Sequence, residues 1–448
     1  MHQLNIEELP FEPSGAVIIR QLINLDSPVW LDSGKPSAQL SRFDIFTAEP
    51  IEKLVNPTAA DIENVHRALC QLNQKSQALL ESLAIPFVAG VIGFFDYESN
   101  HDQHGMPKPP VYSQVLAVDQ VIVTDHRACK SFFCSLRADY KSTNLYKVAK
   151  ALRNHQDVDT PEPLDDSTMY SAPIELSCDH TETRFVEAVH AIHDYIRAGD
   201  AYQINYSQEF QAPIAGDHLE LYLACREKLA APYGCFASLG ERTILSYSPE
   251  RLVSAKGIDV KTQPIKGTIR RGKDSEEDRE LARILQNSAK DQAENVMIVD
   301  LLRNDFSKSC EPFSVKVTKL FELKSFQNVH HLVSTIVGKL RRDRTIWQFF
   351  FDCFPGGSIT GAPKRRAMEI IDELELRKRG IYCGSIAYHS ISEHFDSNIA
   401  IRTIEIKDGV ARCAGGAGIT IDSDAGSEYQ ETLDKISPLL DSLRDAIS

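Results

Sequence analysis

The stretch Val260-Lys261-Thr262-Gln263-Pro264-Ile265-Lys266-Gly267-Thr268 alternates as a β-strand does and holds one lysine between a proline and a glycine. Pro264 fixes φ and removes a backbone donor, and Gly267 lets another backbone or a ligand come close. Lys266 is therefore predicted to point in a fixed direction. A nucleophilic lysine needs a fixed, desolvated position, whereas a surface lysine on a polar turn needs neither neighbour. The surrounding sequence has to decide between these two interpretations.

The composition is that of an ordinary globular protein, because 42% of the 448 residues are hydrophobic and 25% are charged. This length allows two or three domains or one large one. The formal net charge is −14, and no long run of lysine and arginine occurs. Nucleic acids and anionic membrane surfaces require a basic face, so neither is an expected partner. An anionic small molecule would need a local basic pocket.

Cysteine usage and the N-terminal residues both indicate the cytoplasm. The ten cysteines are scattered without a C-x-x-C pair or a zinc-like spacing, which is typical of reduced, mostly buried thiols. Met1 to Pro10 is acidic where a signal peptide would be basic. No apolar run reaches the roughly 18 residues of a membrane span. We therefore expect a cytoplasmic protein.

Residues 1–153 form a first region of mixed strands and helices. In it, the turn Trp30-Leu31-Asp32-Ser33-Gly34 either lines a small-ligand pocket through Trp30 and Ser33 or holds an ordinary packed tryptophan. Residues 154–175 are rich in Asp, Pro, Thr and Ser without periodicity, which is typical of a surface linker. The elements predicted before the linker are strands at Ala16 to Ile23, Phe43 to Thr47 and Phe87 to Tyr97, a helix from Ala59 to Leu83, and a hairpin of Val115 to Asp125 with Lys130 to Leu136.

The second region, residues 176–440, opens with an amphipathic helix and a strand. The helix is predicted over Thr181 to Ala198, with Asp179 as its cap, because its apolar residues recur on one face. The strand Ala201 to Phe210 alternates apolar and polar residues. Gln203 on its polar face either orients a substrate hydroxyl or water in a cleft or faces solvent.

Glu250 lies sixteen residues before Lys266, in a segment of short predicted strands. This spacing suits two neighbouring antiparallel strands joined through Ala255 to Gly257. Such a pair would bring a carboxylic acid and an amine to opposite sides of one ligand. Taken alone, Glu250 would be a surface carboxylate.

Two acid-x-x-acid pairs lie on predicted helices, Asp291 with Glu294 and Glu428 with Glu431. Acids at positions i and i+3 share one helix face. Two such faces turned towards each other would make an all-oxygen site for Mg²⁺, which prefers carboxylates, water and a ligand oxygen. Taken singly, each pair is more typical of a solvated helix face.

Other segments carry groups that suit an anion. The run Phe354 to Arg366 starts a helix, and its glycine N–H groups with the Ser358 and Thr360 hydroxyls predict a site for a carboxylate or phosphate. The run lacks the spacing of a P-loop. Arg402 lies in an apolar run, where a buried cation usually has an anionic partner.

Three further features accompany these groups. A predicted strand, Asn328 to Ser334, presents His331. The glycine-rich run Gly415 to Gly418 would let a ligand approach the backbone closely. Lys435 follows Glu431 by one helical turn.

In this order, the segments resemble the chorismate-utilising enzymes, the family that includes anthranilate synthase component I, aminodeoxychorismate synthase component I and isochorismate synthase. The resemblance is dense from about Thr181 to Lys435 and looser before it. The motifs that carry it are Gly199-Asp200-Ala201-Tyr202-Gln203, Ser248-Pro249-Glu250-Arg251, Pro264-Ile265-Lys266-Gly267-Thr268, Ala293-Glu294-Asn295, Leu302-Arg303-Asn304-Asp305, His331-Leu332-Val333-Ser334, Thr360-Gly361-Ala362-Pro363-Lys364 and Glu428-Tyr429-Gln430-Glu431-Thr432, with Leu31-Asp32-Ser33-Gly34 and Ser41-Arg42-Phe43-Asp44 in the first region.

Two positions distinguish branches of this family. Anthranilate synthases resemble Pro-Ile-Ala-Gly-Thr where this chain has Lys266, and aminodeoxychorismate synthases resemble the Pro-Ile-Lys-Gly-Thr found here. Isochorismate and salicylate synthases have a water-activating lysine where this chain has Gln203. The resemblance therefore implies amination of chorismate to 4-amino-4-deoxychorismate, on the route to para-aminobenzoate and folate, and argues against hydration.

The fold that the resemblance implies is α+β, with two large antiparallel sheets packed face to face, helices outside, and strands from both sequence regions. Mg²⁺ is the implied cofactor, held by Glu294 and Glu431, with Asp291 and Glu428 acting through water. In some members of the family a tryptophan binds the first region, which places Ser33 at such a site.

The resemblance also implies residue roles. Lys266 would attack C2 of chorismate while Glu250 protonates the departing C4 hydroxyl, with His331 close to that hydroxyl. Ammonia would then add at C4 and expel the lysine. The remaining substrate-binding positions implied in this way are Gln203, Gly267, Thr268, Ser358, Thr360, Tyr382, Arg402, Gly416, Ala417, Gly418 and Lys435.

The chain carries no glutaminase signature of its own, since Cys383 does not lie in a G-x-C-x-G elbow and no H-x-E follows it. The resemblance implies a separate glutamine amidotransferase subunit that delivers ammonia within a heterodimer. Two alternatives remain at this stage. One is an anthranilate synthase component I, which Lys266 argues against, and the other is an inactive chorismate-binding regulatory subunit, which would have lost acids or the lysine.

Overall fold

The computed structural model describes residues 4–9, 12–34, 42–72, 85–100, 113–154, 176–326 and 329–447. Within these ranges, none of the helices is both long and apolar enough to cross a membrane. The helices are α1 Gly15–Leu22, α2 Ala59–Leu72, α3 Asn144–Asn154, α4 Glu182–Arg197, α5 His218–Leu229, α6 Ser275–Gln286, α7 Ala289–Ser309, α8 Ile346–Cys353, α9 Lys364–Leu374 and α10 Ala425–Ile447, with 3-10 turns at Tyr97–Asn100, Tyr140–Ser142 and Gly357–Ile359.

The strands of the described chain form two antiparallel sheets. They are β1 Asn5–Leu9, β2 Val29–Asp32, β3 Phe43–Thr47, β4 Glu52–Val55, β5 Gly90–Phe95, β6 Gln114–Val118, β7 Gln120–Asp125, β8 Lys130–Ser135, β9 Ser177–Cys178, β10 Gln203–Pro213, β11 Tyr233–Ser238, β12 Arg242–Ser248, β13 Arg251–Lys256, β14 Asp259–Thr262, β15 Ile265–Arg270, β16 Lys316–Ser325, β17 Val329–Lys339, β18 Gly361–Ala362, β19 Ser385–Ser390, β20 His394–Asn398, β21 Thr403–Lys407 and β22 Val410–Ile419.

Both sequence regions contribute strands to each sheet, as two contiguous blocks that meet at the β2–β11 pair and at the β5–β19 pair. The first sheet has the order β1-β8-β7-β3-β2-β11-β12-β21-β22-β10-β18, with β9 also paired to β10. The second has the order β15-β17-β14-β13-β20-β19-β5-β6-β4, with β16 also paired to β17. The predicted α+β fold with two large antiparallel sheets is confirmed.

One apolar core joins the two sheets. It contains Val29 and Cys235 from the first sheet and Phe94 and Val253 from the second, all with essentially no exposed surface. A second cluster covers the other face of the first sheet, where Ile18 and its neighbours on α1 pack with residues of α3, α5 and α10. Burial of both faces of the first sheet explains why its strands read as apolar runs.

The strand predicted at Ala16 to Ile23 is wrong, because this segment forms helix α1. Ser14 caps the helix by accepting a hydrogen bond from the Val17 N–H. Ile18, Ile19 and Leu22 are buried on one face of α1, as the helix repeat allows, whereas a strand would put Ile18 and Ile19 on opposite faces. The three consecutive β-branched residues Val17 to Ile19 favoured the strand locally, and packing against the sheet reversed that preference.

Several other predicted elements are confirmed with shifted ends. Helix α4 is capped by Thr181, which accepts from the Arg184 N–H, whereas Asp179 instead accepts from the Glu209 N–H at 2.8 Å. The single strand predicted over Val115 to Asp125 is broken at Asp119, where the chain passes from the second sheet to the first. Of the helix predicted to Leu83, residues 73–83 lie outside the described chain, as does the linker after residue 154.

Candidate functional site

Lys266 lies on β15, opposite Leu332 of β17. A bulge between Lys266 and Thr268 interrupts the pairing, and Gly267 in the bulge has φ +80°. This left-handed backbone is readily adopted by glycine and strained for other residues. The break at Pro264 lets β14 and β15 pair in succession with the same strand, since the Pro264 carbonyl accepts from the Ser334 N–H at 3.2 Å. The proline and the glycine thus set the backbone on either side of the half-buried lysine.

Glu250 lies at the turn between β12 and β13. Its backbone N–H donates to the Ser248 hydroxyl at 3.2 Å, and its carboxylate Oε1 accepts from the Ser358 hydroxyl at 3.1 Å. Burial raises the pKa of this carboxyl, while the charge of Lys266, the Ser358 hydrogen bond and the charge of Lys435 oppose the rise. The raised pKa suits a carboxylic acid that donates a proton.

The route by which Glu250 reaches Lys266 differs from the predicted hairpin. The turn Ala255 to Gly257 does join two paired strands, β13 and β14. Lys266, however, lies one element later, on β15, which pairs with β17. The acid and the amine therefore meet across a larger piece of the second sheet than a single hairpin.

His331 is opposite Thr268 in the strand register, and its Nδ1 lies 2.8 Å from the Thr268 hydroxyl. Burial lowers the pKa of this imidazole to about 4, with help from the positive charge of Arg402. The ring is accordingly neutral near pH 7. A neutral imidazole can hold a substrate hydroxyl by a hydrogen bond, and Glu250 is the better proton donor.

Arg402 has the features of an unfilled anion receptor. Burial lowers the pKa of its guanidinium, and none of the described carboxylates forms an ion pair with it. Its φ of +51° is unusual for a residue with a side chain, and such strain gathers at functional sites. Although protein atoms crowd the guanidinium, Arg402 keeps exposed surface, so a carboxylate can reach and bind it from solvent.

The loop before helix α9 uses its two hydroxyls differently. Ser358 points to Glu250, as described above. Thr360 is fully buried and donates to the Gly356 carbonyl at 2.9 Å, so its proton is already engaged. Lys364 at the start of α9 is buried in an ion pair with Asp305 at 2.7 Å. Ser358 is therefore the hydroxyl of this loop that faces the acid.

Gln203 is buried rather than solvent-facing, with 1% of its surface exposed. Its amide packs against Gly418 of β22, where a β-carbon would lie 2.5 Å from Nε2. The amide Oε1 has no hydrogen-bond partner in the described structure. A buried acceptor without a donor costs free energy, so a ligand donor at this point would be stabilised. Gly416 and Ala417 lie on the same strand opposite Ser207 and Tyr206.

Tyr382 is buried in the core between the sheets, and burial raises its pKa far above the ordinary value. It follows the loop that leaves helix α9 and precedes β19. Its phenol is therefore a neutral hydrogen-bonding group at every physiological pH.

The two acid pairs lie near the starts of two helices: Asp291 is in the first turn of α7 with Glu294 in the next, and Glu428 is in the first turn of α10 with Glu431 in the next. Burial raises the pKa of Glu428, and the charge of Glu431 adds to the rise. Glu431 is paired with Lys435 at 2.5 Å. In the described chain, no three acidic, histidine or cysteine side chains are close enough together to hold a metal ion as they stand.

The chemistry of these acids nevertheless fits Mg²⁺. All four donors are carboxylates, which this ion prefers. The buried Glu428 carries an unfavourable interaction with Glu431 that a cation would relieve, and the ammonium groups of Lys290 and Lys435 now reduce it. Lys435 also donates to the Gly416 carbonyl at 3.3 Å, which connects the acids to the glycine-rich strand.

Ser33 lies apart from this site, on a cavity of about 920 Å³ that Leu31, Tyr233 and Tyr388 also line. The Ser33 hydroxyl donates to Asp44 at 2.6 Å, so the turn is fixed by the protein itself. Trp30 is fully buried and stacks on Phe46, with ring centroids 5.4 Å apart, as an ordinary packed tryptophan. A tryptophan site at Ser33 stays a prediction.

The sequence analysis missed a buried ionic cluster behind the site, formed by Arg379, Glu375 and Glu98. Both side chains of the Arg379–Glu375 pair are 1% exposed, with 2.7 Å between Nη2 and Oε1. The signal was present, since Arg379 and Glu375 are spaced i and i+4. The signal was not decisive, because the run Arg377-Lys378-Arg379 is also typical of a solvated basic turn.

The chain was compared with known proteins. Residues 26–441 match the family model for chorismate binding enzymes. The chain is 35% identical over 444 residues to aminodeoxychorismate synthase component 1 of Escherichia coli K12, covering 94% of each chain. It is 36% identical over 380 residues to anthranilate synthase component 1 of Streptomyces coelicolor, covering 81% of this chain and 74% of the relative.

A solved structure shows the same architecture. The crystal structure of anthranilate synthase component I from Streptococcus pneumoniae superposes with a TM-score of 0.75 at 31% identity, covering 90% of this chain and 93% of that one. The family match spans most of the sequence, and the site assembled above lies inside it. The chain therefore belongs to the family of chorismate-binding enzymes.

Proposed function

We propose that this enzyme aminates chorismate at C4 to give 4-amino-4-deoxychorismate, as an aminodeoxychorismate synthase component 1. The observation that carries the proposal is the approach of Lys266 to Glu250, whose pKa is raised by burial and lowered by that lysine. A lysine amine and a protonated carboxyl that act on the same substrate suit displacement of a hydroxyl. The amine attacks the ring while the carboxyl protonates the leaving hydroxyl.

The reaction would proceed in two displacements. The amine of Lys266 attacks C2 of the ring, both ring double bonds shift (to C1=C6 and C4=C5), and the C4 hydroxyl leaves as water with a proton from Glu250. Ammonia then attacks C4, both double bonds shift back, and Lys266 departs from C2 as an amine. Covalent catalysis of this kind replaces one hard step by two easier ones.

The other residues would hold the substrate. Arg402 keeps exposed surface and has no described acidic partner, and we assign it to the enolpyruvyl carboxylate, beside Tyr382 and the Gly416 to Gly418 backbone. Gln203 would offer its unpaired amide oxygen to a substrate or ammonia N–H or O–H group. His331 would accept or donate a hydrogen bond at the leaving hydroxyl as a neutral ring.

Mg²⁺ fits the four carboxylates Asp291, Glu294, Glu428 and Glu431, and when bound it would neutralise the ring carboxylate of chorismate. We propose that Glu294 and Glu431 contact the ion directly and that the other two act through water. Since Lys435 pairs with Glu431, its side chain would have to turn away for that carboxylate to hold the ion.

Ammonia would come from a separate glutamine amidotransferase subunit. The chain's own Cys383 is unsuited to glutaminase chemistry, because it is fully buried and burial raises its thiol pKa to about 12. The relative from Escherichia coli is named component 1, and we propose a two-subunit arrangement of the same kind for this chain.

An anthranilate synthase component 1 is the second candidate, favoured by a comparable 36% identity to the Streptomyces relative. The two reactions differ in product, so one assay separates them. Purified protein is incubated with chorismate, Mg²⁺ and ammonium salt, and the products are resolved by liquid chromatography and mass spectrometry. We expect aminodeoxychorismate, which a pyruvate-removing lyase converts to para-aminobenzoate. Fluorescent anthranilate formed without the lyase would assign the second function instead.

A further inference from the structure

Arg379 is a buried arginine that binds three separate parts of the fold. Its Nη1 donates to the Ile359 carbonyl at 2.7 Å, and its Nη2 donates to the Asn205 carbonyl at 2.9 Å. Its Nε and Nη2 donate to the two carboxylate oxygens of Glu375 at 2.9 and 2.7 Å. The fork geometry of a guanidinium allows all these bonds at once, which a lysine ammonium cannot reproduce.

Each backbone carbonyl that Arg379 binds belongs to a residue one or two positions along the chain from a proposed substrate residue. Ile359 stands between Ser358 and Thr360, in the loop that supports the acid. Asn205 follows Gln203 by two residues on β10, and in a strand this spacing puts both side chains on the same face. One guanidinium thus links the loop and the strand on two sides of the site.

The backbone of Arg379 is fixed as well. Its N–H donates to Glu98 Oε1 at 2.7 Å, and the following Gly380 N–H donates to Glu98 Oε2 at 3.2 Å. Tyr382 comes two residues after Gly380. Glu98 lies on the 3-10 turn Tyr97–Asn100, and the Tyr97 ring lies 4.7 Å from the guanidinium carbon. The third proposed substrate segment is therefore tied to the same arginine.

We propose that Arg379 is a positioning residue that sets the spacing of the Ser358 loop, the Gln203 strand and the Tyr382 loop, and through them the affinity for chorismate. Its side chain is 1% exposed, so it acts through these segments and does not touch the substrate. The inference rests on the proposed placement of chorismate but is independent of which product the enzyme makes. Lys266 and Glu250 lie on other elements, and of the three segments it is the Ser358 loop that contacts Glu250, so binding should suffer more than the chemical step.

The test is Arg379→Lys, which keeps the charge and loses the fork. Initial rates of chorismate consumption are measured with Mg²⁺ and saturating ammonium salt, whatever the product. We expect KM for chorismate to rise about tenfold or more while kcat falls by less than about threefold. KM within about twofold of the wild type in a folded variant would overturn the proposal. A wild type that makes anthranilate would refute the proposed function and leave this comparison valid.

Arg226→Lys is a control for the general loss of an arginine that holds a buried carboxylate, although the Arg226 side chain is 27% exposed and that of Asp32 only 2%. Arg226 also donates to both oxygens of one carboxylate, on Asp32, at 2.5 and 2.9 Å. It too binds a backbone carbonyl, on Gly34 at 2.8 Å, and lies 4.9 Å from an aromatic ring, that of Trp30. We expect a similar fall in melting temperature with KM unchanged. Equal KM increases in both variants would show that the effect on chorismate is nonspecific and would contradict the proposal.

Glu98→Gln covers the case in which Arg379→Lys does not fold. It preserves the shape of the side chain and leaves the guanidinium in place, but an amide has one carbonyl oxygen for the two N–H donors. We expect a smaller rise in KM, of about threefold, with kcat maintained. An unchanged KM in this variant would count against control of the site through the Arg379 backbone.

Discussion

Gly267 packs against Asp291 so closely that a β-carbon on the glycine would lie 3.0 Å from three atoms of the aspartate side chain. The bulge beside Lys266 therefore rests on the first turn of α7, the helix that carries two of the proposed metal acids. A displacement at this contact would therefore shift both Lys266 and the acid pair on α7. The close packing of strand and helix explains the need for a glycine here.

Gly267→Ala is therefore expected to damage both function and stability. The added methyl group meets Asp291 and also sits at φ +80°, a conformation that costs about 1–3 kcal/mol for other residues. We expect chorismate turnover to fall about tenfold or more, measured as substrate consumption. Gly240→Ala is the control, because Gly240 has φ +83° with nothing within 4 Å of the new carbon. The Gly240→Ala variant should be less stable than the wild type and should turn over chorismate at the wild-type rate.

Glu250→Gln tests the proton donor. Loss of general acid catalysis should lower kcat by about 10²–10⁴-fold with the fold intact by circular dichroism. In the wild type, activity should fall as pH rises through the raised pKa of Glu250, because the acid form is then lost, and the variant should lack this limb. Ser358→Ala removes a bond that favours the carboxylate, so the limb should move to higher pH. Near-normal turnover by Glu250→Gln would assign the proton to another group.

Glu431→Gln tests the metal acids without relying on turnover. Mg²⁺ that binds the folded state raises the melting temperature by mass action. We expect a concentration-dependent rise for the wild type and an apparent affinity at least about tenfold weaker for the variant. Lys435→Met removes the cation that pairs with Glu431, so it should strengthen Mg²⁺ binding. No Mg²⁺ response in the wild type, with full activity in excess chelator, would contradict a metal at these acids.

Glu98 makes a separate prediction about stability. Burial raises its pKa from 4.5 to about 7, so the folded protein retains a proton that the unfolded chain loses above pH 4.5. Its contribution is fully present below pH 4.5 and is lost as pH rises to about 7, a change of about 3 kcal/mol. Urea unfolding at pH 5 and pH 8 should show this loss in the wild type. In Glu98→Gln the difference between the two pH values should shrink by about that amount.

The sequence predicted those parts of the site that local rules determine. Pro264 and Gly267 each impose a backbone geometry, so the backbone around the lysine was predictable from the four residues Pro264 to Gly267. The i, i+3 spacing of the acids likewise places them on one face of α7 and of α10. The two-sheet fold came from the family resemblance, since alternation alone does not say which strands pair.

The parts of the fold and of the site that the sequence did not predict depend on contacts between distant segments. The apolar run after Ser14 suits a strand or a helix, and only its packing against Trp30 and the first sheet selects α1. Gln203 looks solvent-facing by alternation, but strand β22 and its glycines bury it. Arg379 looks exposed among basic neighbours, yet it binds residues 174 and 20 positions away. Such tertiary effects leave no periodic signal.

The strongest test of the reaction concerns a covalent bond to Lys266. The lysine is fixed by the proline break and the bulge, and it faces an acid whose raised pKa allows the carboxyl to carry a proton. Without ammonia, the first displacement can occur and the second cannot. The enzyme should therefore accumulate a covalent adduct whenever chorismate and Mg²⁺ are supplied and ammonia is withheld.

Intact-protein mass spectrometry after this incubation should show a species heavier by chorismate minus water, and peptide mapping should place it on Lys266. Lys266→Ala should form no adduct, and Lys261→Ala is the matched control, since Lys261 lies one strand earlier along the same partner strand β17. Adding ammonium salt should release the adduct as aminodeoxychorismate. If the protein makes that product with ammonia but never shows the adduct, ammonia attacks chorismate directly and Lys266 acts through its charge alone.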